Sequence, residues 1–289
     1  MKIGIITWSC RFALGRNCSD QHKIPGYLSF PQFLVHTAEL GLDGVMAEIG
    51  YIEKEAEHAG IRELLKKYGL FCEIGGWGCS FPALESQLKL AQKLGSRVLR
   101  TAILGSGRFR HTPQERKQIL RNAIKNLGRI MPEAEKSGIS IAIENHQDFT
   151  ARELLSVVKE IESPCCGICF DTGNSIPILQ DPYRECRLLA PYVKTVHLKD
   201  FNIADTEHEL SGARLYGTAL GDGILDLPQQ MRTVYRAAPE ANWIIELQLG
   251  ACATAEETYR HEEDSVIRST IYARKLQKQL QSGLLQTLF

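Results

Sequence analysis

Excess charge of either sign is missing from the 289-residue chain, in which 34 Lys and Arg face 34 Asp and Glu. That balance argues against nucleic acid as partner, because affinity for a phosphate backbone comes largely from clustered cations. No apolar run approaches the ~18 residues of a membrane span. The opening MKIGIITWSCRF turns polar too early for a signal peptide. A cytoplasmic protein without a membrane partner is expected. The nine cysteines are odd in number and irregularly spaced, which excludes a secreted disulfide framework. Their one CxxC, Cys166 to Cys169, falls on an apolar run with strand character. Residues three apart on a strand point to opposite faces and cannot share a metal. Also absent is the glycine-rich phosphate turn of a doubly wound sheet, since Ser-Cys-Arg-Phe-Ala follows the first apolar run.

What is present is alternation. Short apolar runs occur at Lys2–Trp8, Gly44–Glu48, Leu70–Gly75, Arg97–Ala102, Ser140–Asn145, Gly167–Asp171, Val193–Leu198 and Trp243–Leu247. Helical spacing lies between them, at Pro31–Leu40, Lys54–Tyr68, Ala83–Leu94, Pro113–Lys136, Ala151–Ile161, Pro182–Leu189 and Pro228–Ala237. Thr150 with Glu153 has the spacing of a capping box, Asp226 precedes Leu-Pro as a helix start, and Gly41, Gly69, Gly95 and Gly138 follow helical runs as C-caps do. Strict alternation of strand and helix predicts an α/β fold with a parallel sheet, and eight units predict closure into one (β/α)8 TIM barrel over residues 1–289. A C-terminal helix is predicted over about 265–282. The long connections Leu104–Thr112 and Asp200–Gly223 then fall on the C-terminal face, and the second is expected to cover part of a site.

Catalytic groups of such barrels stand at the C-terminal strand ends. Strand five ends in IAIENH with Glu144, strand six in ICFDTGN with Asp171, strand seven in VKTVHLKD with His197, and strand eight in WIIELQ with Glu246. Three carboxylates and an imidazole converging on one rim need a positive centre to offset their repulsion, and one divalent cation supplies it. Oxygen-rich ligation with one imidazole favours Mn²⁺, with Mg²⁺, Co²⁺ and Zn²⁺ as alternatives.

These motifs resemble the xylose isomerase-like TIM barrels, a family that includes sugar phosphate isomerases/epimerases, D-tagatose 3-epimerase-like enzymes and inosose dehydratases. The resemblance is strongest from Ile139 to Leu247 and implies that Glu144, Asp171, His197 and Glu246 bind one metal. It also covers GDGILD, Gly221 to Asp226, which looks like the family's Gly-x-Gly turn. Two departures set the chain apart from ketose 3-epimerases: Asn174 stands where they often carry His, and Gly44-Val45-Met46 replaces a frequent Gly-Val-Glu, leaving Glu48 as a displaced substitute. The nuclease branch, with several metals and extra histidines, does not fit.

Residues two apart on a strand share a face, which places His146 beside Glu144 and Lys199 beside His197. His146 is a candidate for proton transfer or for orienting Glu144; Lys199 is a candidate for oxyanion stabilisation or a salt bridge to Asp200 or a site carboxylate. Arg100 and Gln248 are further substrate-contact candidates, as is Asn174, and Trp8 and Trp77 are candidates for a wall against the carbon face of a sugar. The resemblance makes Glu144 and Glu246 the catalytic bases and implies a metal-dependent isomerase or epimerase acting on a sugar, keto-sugar or cyclitol. The reaction would abstract a proton beside a carbonyl and pass through a metal-bound enediolate. A lyase or dehydratase on the same site is the alternative, followed by a sugar-binding barrel without turnover. Assembly into a homo-oligomer is compatible with all three.

Overall fold

A computed structural model describes residues 1–283 apart from 17, 24–26, 53–57, 105–107 and 206–211. The predicted apolar runs form β1 (Ile3–Ile6), β2 (Gly44–Glu48), β3 (Phe71–Gly75), β4 (Val98–Thr101), β5 (Ser140–Glu144), β6 (Cys166–Asp171), β7 (Val193–Leu198) and β10 (Asn242–Ile245). These strands close into a parallel barrel in the spatial order β1-β10-β7-β6-β5-β4-β3-β2. The helices are α1 (Phe30–Glu39), α2 (His58–Tyr68), α3 (Phe81–Leu94), α4 (Pro113–Ser137), α5 (Ala151–Ile161), α6 (Pro182–Leu189), α7 (Leu227–Ala237) and α8 (Ala255–Gln281). The fold is thus the (β/α)8 TIM barrel that the alternation predicts. The first predicted residues of the second helix, 54–57, lie outside the described residues, as do 105–107 of the loop after β4.

Local signals set the helix limits. Thr150 accepts a hydrogen bond from the Glu153 amide, and Glu153 reaches back to the Thr150 amide. Gly41, Gly69, Gly95 and Gly138 take the left-handed backbone that ends their helices without a Cβ clash. Two features differ from expectation. Helix α8 begins at Ala255, ten residues before the predicted start, capped by Thr254 with Glu257. Its first turns, AEETYRHEED, lack apolar periodicity because a buried carboxylate docks them: Glu262 accepts from the amides of Phe12 at 3.0 Å and Ala13 at 2.8 Å.

Asp200–Gly223, read as a loop, contains an antiparallel pair, β8 (Phe201–Asp205) and β9 (Ala213–Gly217), in register from Phe201 opposite Gly217 to Asp205 opposite Ala213. These strands are half exposed, with Ile203 and Tyr216 open to water, and their mixed residues form no continuous apolar run. Asp200 anchors the excursion, accepting from the amides of Phe201, Gly221, Gly223 and Leu225. A Cβ on Gly223 would meet Asp200 Oδ1 at 2.1 Å, which is why the turn GDG carries glycine there.

The main core lies between barrel and helices, with Phe33, Leu84, Leu127, Leu154, Leu189 and Met231 buried against outward strand residues. Inside the barrel a smaller cluster joins Ile6, Met46 and Ile244, with Trp8 and Phe71 against it. No helix among the described residues is long and apolar enough to cross a membrane. All nine cysteines are free, including Cys166 and Cys169.

Candidate active site

Glu144 ends β5, Asp171 ends β6, His197 is the penultimate residue of β7, and Glu246 follows β10. Parallel register alone does not bring these side chains together. Ile168 pairs with Val193 but Cys169 pairs with Thr195, so one extra β7 residue, Lys194, is accommodated and Asp171 comes opposite His197. A one-residue shift reverses the facing of every later side chain, so this bulge decides that His197 looks into the barrel. Gly167 makes the bulge sterically feasible, since a Cβ there would meet Lys194 Cγ and the Tyr192 carbonyl at 2.6 Å each.

One ligand atom from each of Glu144, Asp171, His197 and Glu246 lies within 4.8 Å of the other three. His197 Nδ1 is 2.8 Å from Glu246 Oε2, 3.7 Å from Glu144 Oε1 and 4.0 Å from Asp171 Oδ2. Glu144 Oε2, Asp171 Oδ2, His197 Nδ1 and Glu246 Oε2 are all buried, and their close partners are the charged groups of the site itself. Such groups are costly unless something else satisfies them, and three carboxylates with one imidazole suit a divalent cation. The residues therefore fit a metal ion.

The remaining contacts orient this donor set. Asp171 Oδ1 accepts from the amides of Gly173 and Asn174, which leaves Oδ2 pointing inward. Asn145 exchanges side-chain hydrogen bonds with the Asp171 backbone, at 2.6 and 2.9 Å, continuing the β5–β6 pairing past the last strand residue. His197 Nε2 lies 3.1 Å from the Met46 thioether, an acceptor that favours the tautomer with a lone pair on Nδ1. Met46 thus sits behind the candidate ligand His197.

Two cations share the carboxylates. Lys199 Nζ is 2.8 Å from Asp171 Oδ2 and 3.2 Å from Glu246 Oε2, and 3.3 Å from Asn174 Oδ1. Arg100 Nε is 3.1 Å from Glu144 Oε2, while its Nη1 donates to the Gly76 carbonyl. Burial favours the neutral carboxyl of Glu144, but Arg100 and His197 outweigh it and hold the group down at about 2. Glu246 is likewise held low against its burial, first by Lys199. Burial favours the neutral amine of Lys199, yet Asp171, Glu246 and Glu144 keep it an ammonium.

The chain matches the model of the xylose isomerase-like TIM barrel over residues 34–264. It belongs to that family. A 3-oxo-isoapionate decarboxylase from Pectobacterium atrosepticum is 32% identical over 245 residues, covering 83% of this chain and 86% of the relative. Among solved structures, an L-ribulose 3-epimerase superposes with a TM-score of 0.74 at 14% identity, covering 100% of this chain and 98% of the other. A xylose isomerase-like protein from Mycobacterium smegmatis, in complex with magnesium, superposes with a TM-score of 0.64 at 16% identity over 93% of this chain and 97% of the other. At these identities the structural likenesses concern the fold.

Within this xylose isomerase-like barrel the other candidates divide. Asn174 Nδ2 donates to Glu144 Oε1 at 3.0 Å, and so joins the carboxylate cluster directly. Trp77 stacks on Arg100, 4.3 Å from guanidinium carbon to ring centroid, and meets His146 edge-on at 5.7 Å. The His146 ring is held through Nδ1 by Asp148 Oδ2 at 2.9 Å. Trp8 packs on the inner cluster and lies under Arg11. Gln248 is exposed, with its backbone against Gly217 of β9. Sequence reasoning missed Asn145 and Asp148; both occur in ENHQD, directly after the strand-five end, where a polar run has no hydrophobic period to report its facing.

Proposed function

We propose that the protein is a metal-dependent lyase that decarboxylates a 3-oxo acid of the sugar class. The observation carrying this reading is the cation pairing of both candidate bases, Glu144 with Arg100 and Glu246 with Lys199. An epimerase must remove a carbon-bound proton, and carboxylates neutralised by fixed cations bind protons weakly. Decarboxylation needs no such base. The bond to the carboxylate carbon breaks, its electron pair moves to the ketone oxygen as an enolate, CO₂ leaves, and the carbon takes up one proton.

Positive charge beside the ketone oxygen is the chief requirement, and the buried pair Lys199 and Arg100 supplies it without rearrangement. A divalent ion held by Glu144, Asp171, His197 and Glu246, Mn²⁺ or the Mg²⁺ of the mycobacterial neighbour, would add Lewis acidity toward the substrate's oxygens. Trp77, 40% exposed over Arg100, offers an apolar wall beside His146, whose ring can donate to a substrate hydroxyl. The decarboxylase relative supports the substrate class.

Isomerisation of a keto-sugar is the second reading, favoured by the inward placement of the Glu144 and Glu246 carboxylates in one cluster. The two are separated by incubating the Mn²⁺-loaded protein in D₂O with 3-oxo-isoapionate and, separately, with a panel of ketoses. Release of CO₂ with one deuterium in the product, and no exchange into the ketoses, is expected. Exchange into a ketose without CO₂ from the acid establishes the isomerase instead, and silence in both assays leaves a sugar-binding barrel.

A further inference from the structure

Inward positions of the barrel continue past the ligands onto a carboxyl group with no role yet assigned. On β2, Gly44, Met46 and Glu48 share one face. Met46 touches His197 inside the barrel, so Glu48 projects inward one step nearer the mouth. In register beside it stands Gly75 on β3, and beside Gly75 stands Arg100 on β4. With no side chain at Gly75, Glu48 Cγ would lie 3.3 Å from a Cβ placed there. That gap leaves the Glu48 carboxyl facing Arg100 across β3.

The surroundings of Glu48 are specific. Thr7, just beyond β1, donates to Glu48 Oε2 at 3.3 Å, and its hydroxyl accepts from the Glu48 amide at 3.2 Å. The Trp77 indole N–H donates to the same carboxyl group from beyond β3. Arg100 on β4 and Glu246 beyond β10 are the charged groups acting on it. The residue is 8% exposed, buried yet open at the mouth. Burial pushes its carboxyl group above the usual range, opposed by Arg100 and reinforced by Glu246. At this rim Glu48, unlike Asp148 and the candidate ligands, enters no ion pair among the described residues, and unlike Asp200 it is not saturated by backbone amides.

We infer that Glu48 is the catalytic acid that protonates the substrate carbon once CO₂ has left, an inference that rests on the decarboxylation reading. The proton passes from the Glu48 carboxyl group to the carbon as the enolate reforms the ketone, leaving a carboxylate. Arg100 opposite and the Thr7 and Trp77 donors stabilise that anion until solvent returns a proton. Trp77 thereby links the wall that faces the substrate to the group that completes the reaction.

The test is Glu48→Gln in the Mn²⁺-loaded full chain, with 3-oxo-isoapionate as substrate and ferricyanide as an oxidant of accumulating enolate. Glutamine keeps an acceptor for Thr7 and Trp77, so the melting temperature should stay near that of the wild type. Steady-state kcat should fall about 10²-fold with KM little changed, while CO₂ release in the first turnover persists and ferricyanide reduction appears. Glu48→Asp should restore part of kcat. Wild-type kcat in Glu48→Gln with no ferricyanide reduction overturns the role of Glu48 and leaves decarboxylation standing. First-turnover CO₂ release lost in parallel with kcat overturns it also, making Glu48 a positioning residue. If the wild type itself releases no CO₂, the decarboxylation reading fails, and the inference with it.

Discussion

Glu73 lies on β3, inside the barrel at the end away from the candidate ligands, only 2% exposed. Thr195 donates to one of its oxygens at 2.7 Å and Asn242 to the other at 2.9 Å. Burial raises its carboxyl group to about 7, more than these donors lower it. The folded state therefore holds this proton more tightly than the unfolded chain, so stability from Glu73 is fully present below its ordinary pKa and is lost as pH rises through about 7. Glu73→Gln should remove this dependence. Relative to wild type, the variant should gain up to about 3 kcal/mol between pH 4 and pH 8, each pKa unit being worth ~1.4 kcal/mol. Urea titrations at both pH values check it, and parallel pH profiles for the two proteins would count against a titrating Glu73.

Among the elements, β6 and β7 carry the most consequential irregularity. The bulge at Lys194 sets His197 opposite Asp171, and Gly167 provides its space. Gly167→Ala should push Lys194 and the Tyr192 carbonyl outward and loosen the Asp171–His197 juxtaposition. We expect at least a tenfold loss of Mn²⁺ affinity by calorimetry, within the range seen when groups supporting a metal ligand are altered. Retained far-UV circular dichroism would show that the barrel persists; unchanged affinity would show that β7 absorbs the methyl group elsewhere. The β8–β9 pair is a different kind of element. Its exposure, its separate pairing and its tether through Asp200 make it an appendage of the mouth, not part of the barrel wall.

For the whole molecule, barrel closure brings residues from opposite ends of the chain into one site, and any ion bound there should couple to global stability. Binding to the folded form alone adds about 2.7 kcal/mol when the ion is at a hundred times its Kd. Mn²⁺ should therefore raise the melting temperature by several degrees, EDTA should reverse the rise, and Asp171→Asn should abolish it. A melting temperature indifferent to Mn²⁺ in the wild type would remove the metal from the site. The coupling has a structural source: Glu144, Asp171 and Glu246 each bring a buried carboxylate oxygen to one cluster from the ends of separate strands. An ion satisfying all three ties β5, β6 and β10 together.

Much of this was legible in the sequence. Eight apolar runs, the glycine C-caps and the Thr150 capping box are local signals, and they determined a (β/α)8 barrel with Glu144, Asp171, His197 and Glu246 at its rim. The long polar start of α8 and the β8–β9 pair were not legible, because their stability comes from Glu262 docking onto Phe12 and Ala13 and from Asp200 gathering distant amides. Hydrophobic period carries no record of such contacts. Nor does it state which charge meets which: Arg100 on Glu144, Lys199 between Asp171 and Glu246, and the Glu48 carboxyl across Gly75 from Arg100 all depend on register between strands far apart in the chain. The sequence by itself determined the fold and which four polar residues end its last strands. Only the tertiary structure decided which carboxylates are tied to cations, because side-chain facing within a barrel is set by strand pairing and bulges, which are long-range choices.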